Sequence, residues 1–219
     1  MEKILQFLAE LKENNNREWF DANRKIYEEC RDQMLFYTEV FINEIRKFDE
    51  DIPVLNPKNC LFRIFRDIRF SKDKTPYKTN MGSFISRGGR KSIRAGYYFH
   101  VEPDASFAGG GIYMPPADAL KAIRMAIYED PEEFIAITEN KKFKKFFTEF
   151  YGEKLKTAPK GFSRDFEHLD LLLPKSYAFG HQIDKYHLGG NNFVGYVVEV
   201  FQRLYPANRF LNEALDKFL

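Results

Sequence analysis

Cysteine is scarce in this chain. Only Cys30 and Cys60 occur among 219 residues, which argues against a disulfide framework and fits a reducing cytosol. No apolar run approaches the roughly 20 residues that a membrane helix needs. The amphipathic first eleven residues, interrupted by Glu2, Lys3 and Glu10, do not read as a signal peptide. The expected location is therefore the cytoplasm, with no membrane partner. Internal repeats, low-complexity tracts and linkers are also lacking, so residues 1–219 are expected to form a single domain.

The familiar catalytic signatures are missing too. There is no GxSxG, no HExxH and no CxxC. Gly109-Gly110-Gly111 lacks the spacing of a phosphate loop and runs into Ile-Tyr-Met-Pro-Pro instead of a helix. His181 and His187, with Asp184 between them, fit neither helical nor turn-type ligation. No metal and no cofactor are expected.

What the sequence has in abundance is rings and one concentrated block of positive charge. Phe 23 and Tyr 12 mark a globular chain with a core built heavily on aromatics. The net charge is only +2, yet residues 58–94 carry eleven Lys or Arg against Asp67 and Asp73, a local net of +9. Residues 1–57 hold 8 basic against 13 acidic residues. Such asymmetry favours an anionic partner at one segment and not a uniformly basic nucleic-acid binder.

Hydrophobic periodicity gives helices at 3–12 and, after Asn14-Asn15-Asn16, at 17–48, with an Asn as cap and a length that invites a break. Strands are predicted at 81–86, 95–102, 106–113 and 177–183. Helices are predicted at 116–129, 131–138, 141–150, 192–204 and 208–219, with a helical turn at 169–173. Helices at both ends around a central antiparallel sheet of about four strands make an α+β fold.

The charged block centres on residues 61–78, where Arg63, Arg66, Arg69, Lys72, Lys74 and Lys78 interleave with Phe, Ile and Tyr. As a strand, Phe62, Ile64, Arg66 and Ile68 share a face; as a helix, Arg66, Arg69 and Asp73 align. Either way guanidiniums gather, and their forks suit carboxylate or phosphate. These six residues are the candidate anion clamp. The alternative is that they are struts beneath a loop, paired with Asp67 and Asp73 or stacked on rings.

A second constellation lies on the strand 95–102. Tyr97, Phe99 and Val101 are predicted to face the core, leaving Tyr98, His100 and Glu102 in a row on the other face. That row offers a proton donor, a group titrating near neutrality and a carboxylate, so these three are the candidate catalytic residues. The glycines at 109–111 either open a groove beside His100 or form a bulge.

Three functions follow: a site for a small anionic, phosphate-bearing ligand, with His100 as acid or base if it is an enzyme; a nucleic-acid module with Tyr77, Tyr97 or Tyr98 stacking on bases; or a non-enzymatic interaction protein whose charges hold a loop.

Residues 15–20 (Asn-Asn-Arg-Glu-Trp-Phe) with Asn23 and Tyr27, residues 62–78, and residues 96–103 (Gly-Tyr-Tyr-Phe-His-Val-Glu-Pro) resemble the domain of unknown function (DUF) 2461 family of bacterial and fungal proteins. Gly109, Gly111, Leu155-Lys156 and Pro159-Lys160-Gly161 also fit its pattern. The resemblance implies one complete domain with these segments converging on one cleft. The family has no established activity, so it implies no chemistry.

Overall fold

Helices open and close the chain, as its periodicity predicts. The computed structural model describes residues 1–219. First come α1 (Glu2–Glu13), α2 (Arg17–Ala22), α3 (Arg24–Ile45) and α4 (Pro57–Cys60), then β1 (Met81–Ile85), β2 (Gly96–Val101) and β3 (Phe107–Ile112). After these come α5 (Ala117–Glu129), α6 (Pro131–Thr138), α7 (Lys141–Lys144), β4 (Tyr177–Gln182), α8 (Lys185–Gly189) and α9 (Phe193–Phe218). The strands form one antiparallel sheet in the order β1-β2-β3-β4, so the fold is α+β. No helix is long and apolar enough to cross a membrane.

Four predicted helices come out differently. The long second helix breaks at Asn23, whose ψ of 14° leaves the helical path while its side chain bonds the Trp19 carbonyl. Only the first turn of 141–150 is helical. The two closing helices are one, because α9 runs through Pro206. Proline removes the hydrogen bond to the Gln202 carbonyl, but both residues face solvent, where water satisfies that carbonyl. The buried stripe of Phe201, Leu204, Ala207 and Leu211 continues unbroken past them.

By proximity of its residues the chain divides into two compact units. The first comprises Met1–Arg90, Tyr98–Ala108 and Gln182–Val198. Here Asn16 caps α2 by accepting from the Trp19 N–H at 2.9 Å. Phe41 packs edge-on against Phe99 at 5.2 Å between ring centroids, and Phe193 packs tilted against it at 5.5 Å. Phe20 stacks on Tyr77 at 3.9 Å, and Phe7, Tyr27 and Phe65 complete that ring cluster. Of these rings Phe20, Phe41 and Phe99 are fully buried, and each contributes roughly 1.5–3 kcal/mol. Cys30 and Cys60 are free and buried, and burial pushes both thiols up to about 11, so neither is a poised nucleophile.

The second unit comprises Lys91–Tyr97, Gly109–His181 and Glu199–Leu219. Phe134 lies at its centre against Phe150, Tyr177 and Phe210. Asn208, Asn212 and Asp216, spaced one turn apart on α9, hold residues 94–96 where β2 begins. Asn212 accepts from the Ala95 N–H at 2.8 Å and donates to its carbonyl at 3.4 Å; Asn208 donates to the Gly96 carbonyl at 3.0 Å. Asp216 takes both arms of Arg94.

The three glycines of β3 open no groove. They are buried, and a Cβ at Gly109 or Gly111 would run into the backbone carbonyls of Phe179 or Tyr177 on β4, and one at Gly110 into that of Gly96 on β2. They are glycines because strand backbones approach there, the close-approach use of glycine in a sheet.

Asn212→Ala removes two buried hydrogen bonds to Ala95 and is expected to cost about 1–3 kcal/mol, a fall in melting temperature of roughly 3–10 °C. Asn208→Ala should cost less, because the Asn208 Oδ1 has no partner to lose. Thermal melts of both variants check the order.

Candidate functional site

Period-two alternation decides which side chains β2 offers. Tyr97, Phe99 and Val101 are fully buried, as predicted, and Tyr98, His100 and Glu102 line the opposite face. On that face the three are joined. The Tyr98 hydroxyl lies 3.0 Å from His100 Nδ1, and His100 Nε2 lies 3.1 Å from Glu102 Oε2. A carboxylate only accepts, so Nε2 carries the proton and donates to Glu102. In the neutral ring Nδ1 is then the acceptor, and Tyr98 donates to it.

Neighbours fix each member. The His100 ring stacks on Phe107 at 4.8 Å, and Tyr98 packs against Phe107 and Phe62. The phenol lies across Gly82, where a Cβ would sit 2.5 Å from the Tyr98 oxygen. Glu102 accepts from the Thr79 hydroxyl at 3.3 Å. Its backbone is braced by Ser106, whose Oγ accepts from the Glu102 N–H and donates to the Glu102 carbonyl.

His100 is pulled in opposing directions. Burial, the largest influence, and the Lys78 charge lower its pKa, while the hydrogen bond and charge of Glu102 raise it; the net shift is downward. The imidazole is thus neutral at pH 7, ready to take a proton at Nδ1, with Glu102 placed to stabilise the imidazolium that results.

The candidate anion clamp divides into two groups. Residues 61–78 run extended, not helical: Leu61 bridges Ser83, and Phe65 pairs with Tyr77. At the root of this arm, Asn15 brackets Tyr77, donating to its carbonyl and accepting from its N–H. Lys78 is half-buried, with its ammonium 5.5 Å over the Phe62 ring. Desolvation first, then the charge of exposed Arg63, lowers its pKa, and its own charge reaches His100. Lys78 and Arg63 are therefore the candidates the fold brings towards the row.

The other four belong to the loop 66–75. Arg66 pairs with Asp73 and with the Thr75 hydroxyl, closing the loop at its base. Arg69 forks onto Asp67, Lys74 donates to the Ile68 carbonyl at 3.0 Å, and Lys72 is exposed. Two rings expected to stack on bases, Tyr77 and Tyr97, are buried at 4% and 0% exposure; the third, Tyr98, is bonded to His100.

Asn15, Thr79, Gly82 and Phe107 complete the site and were not among the sequence candidates. Asn15 and Thr79 lie inside or beside the segments singled out. Gly82 and Phe107 carry no local signal, since their roles arise from strand pairing. His181 bonds the Phe146 carbonyl and His187 bonds Asp184. No group of three or more His, Cys, Asp or Glu side chains is placed to hold a metal.

The Arg66–Asp73 closure has a testable signature. Hydrogen bonds from the Thr75 N–H, Arg66 and the Thr75 hydroxyl hold the Asp73 carboxyl down at about 2. A depressed carboxyl contributes its stabilisation above its ordinary value and loses it as pH falls through about 2. Protection of the Thr75 amide from hydrogen exchange should therefore persist at pH 4 and collapse near pH 2. Asp73→Ala should abolish it at pH 7 with the melting temperature little changed. Unaltered protection in that variant would refute the closure.

The DUF2461 family model, described as a conserved hypothetical protein, matches residues 3–210. No curated protein and no solved structure matches the chain. A match over almost the whole length shows that the chain belongs to the DUF2461 family.

Proposed function

We propose that Tyr98, His100 and Glu102 form a proton-exchange site for a small anionic, phosphate-bearing ligand held at Lys78 and Arg63. The observation that carries this reading is Lys78: a half-buried ammonium beside a second cation, with a ring beneath it and no carboxylate paired to it. A desolvated cation without a counter-charge is costly, and an anion bound there offsets that cost. The ligand would then lie next to the row, where the Tyr98 hydroxyl bears a proton and is bonded to His100 Nδ1. Its proton can pass to Nδ1, with Glu102 stabilising the charged ring. Arg66, Arg69 and Lys74 support this arrangement by shaping the loop, and Lys72 adds to the positive field.

A second reading has its own observation. The carboxylates of Asp73 and Asp67 take up Arg66 and Arg69 within one loop, as expected of an interaction protein whose charges hold a surface in place.

One titration separates the two. The His100 ring resonances, followed by NMR against pH, should show a midpoint below 6.5, the ordinary value. Lys78→Gln should raise that midpoint by removing a cation, and Glu102→Gln should lower it further. Inorganic phosphate should raise it in the wild type and leave it unmoved in Lys78→Gln. Because the folded His100 is held neutral, its contribution to stability is present above pH 6.5 and is lost as acid charges it. Phosphate that leaves the wild-type resonances unmoved would defeat the ligand site and favour the interaction protein.

A further inference from the structure

The loop at 66–75 carries a ring that the chain leaves open to solvent, with the Arg69 guanidinium beside it at 5.9 Å from the ring centroid. Phe70 is 96% exposed, whereas a phenylalanine in a loop free to fold back would bury its ring. This loop is not free to do so. Arg66 ties its base to Asp73 and Thr75, Lys74 holds the Ile68 carbonyl, and Arg69 forks onto Asp67 beside the tip. Lone exposed apolar residues are common on surfaces. Here Phe62 and Phe65 on the same arm are also exposed, at 37% and 43%. The cations around the tip, Arg69, Lys72 and Lys74, are exposed as well.

We propose that this tip docks the protein on an anionic lipid surface, with Phe70 entering the interface and the surrounding Lys and Arg meeting lipid head groups. Charge complementarity selects this occupant. The arm lies in a segment of net +9 within a chain of net +2, so the remainder is net acidic. A negatively charged sheet attracts the arm and repels the rest, which orients Phe70 towards it. An exposed aromatic flanked by cations is also the composition of interfacial anchors. A single-stranded nucleic acid would need a row of rings along a groove, but Tyr77 of this arm is buried under Phe20. Holding the loop in advance removes much of the ordering cost of docking. None of this depends on the proton-exchange reading, because Phe70 takes no part in the Tyr98–His100–Glu102 row.

Sedimentation with vesicles tests it. The protein should bind equimolar phosphatidylcholine–phosphatidylserine vesicles, and binding to phosphatidylcholine alone should be much weaker. Phe70→Ala should reduce binding about tenfold, and Lys72→Gln or Lys74→Gln about fivefold each. All three side chains are exposed, so the fold should survive. Phe70→Trp should retain binding and move to shorter emission wavelengths on the vesicles, beyond any change shown by Trp19 in the wild type. The response of His100 to phosphate should be the same in Phe70→Ala as in the wild type. The proposal is overturned if Phe70→Ala binds as the wild type does, if neutral vesicles bind equally well, or if single-stranded DNA binds in a Phe70-dependent way while the vesicles do not.

Discussion

The site depends first on where β2 starts. Asn212 satisfies both backbone groups of Ala95, and Asn208 takes the carbonyl of Gly96. These bonds fix the strand before its first outward side chain. Because side chains alternate, a slip of one residue would exchange the two faces of β2. Tyr97, Phe99 and Val101 would then leave the aromatic core, and Tyr98, His100 and Glu102 would enter it. Burying an unpaired imidazole and carboxylate costs several kcal/mol, so the pattern of the strand and the asparagines of α9 enforce the same register.

Given that register, the chemistry of the row comes from a competition around His100. Burial alone would make the imidazole a poor base, and Glu102 alone would keep it protonated. Their opposition, with Lys78 adding to burial, leaves a neutral ring whose charged form already has a partner. Tyr98 is held in line because Gly82 lets its ring lie against β1 and Phe62 closes over it. An alanine at position 82 would leave every titratable group in place yet lift the phenol from its seat. The geometry of the row is thus set partly by an atom that is absent.

The sequence made β2 legible because its alternation is strict and its inward residues are apolar. It made the cap at Asn16 legible for a similar reason: an asparagine ahead of an amphipathic run has one obvious use. The segment 61–78 was ambiguous because aromatic, aliphatic and charged residues recur in it without a clean period. Its extended path is set by pairing, of Leu61 with Ser83 on β1 and of Phe65 with Tyr77 at the segment's own far end. The glycines of β3 were misread for the same reason. Their close approach to β4 involves a strand some seventy residues later, which no local window contains. The join of the two closing helices is the opposite case: Pro206 lies within α9, and a buried stripe runs past it on both sides.

The charge excess illustrates why counting cations does not locate a ligand. Six basic residues in one arm suggested a clamp, but carboxylates and carbonyls in the same arm already engage Arg66, Arg69 and Lys74. What distinguishes Lys78 is its surroundings. It is the half-buried one of the six without a carboxylate, and the one whose field reaches His100. In water, two cations some ångströms apart repel weakly and an anion between them gains little; where solvent is partly excluded both effects grow several-fold. The same charge therefore has different consequences at the two ends of the arm. At the tip it is screened and acts collectively, as a field that orients; at the root it is desolvated and acts on a single neighbour. A ligand small enough to reach His100 would respond to the root, and an extended anionic surface to the tip.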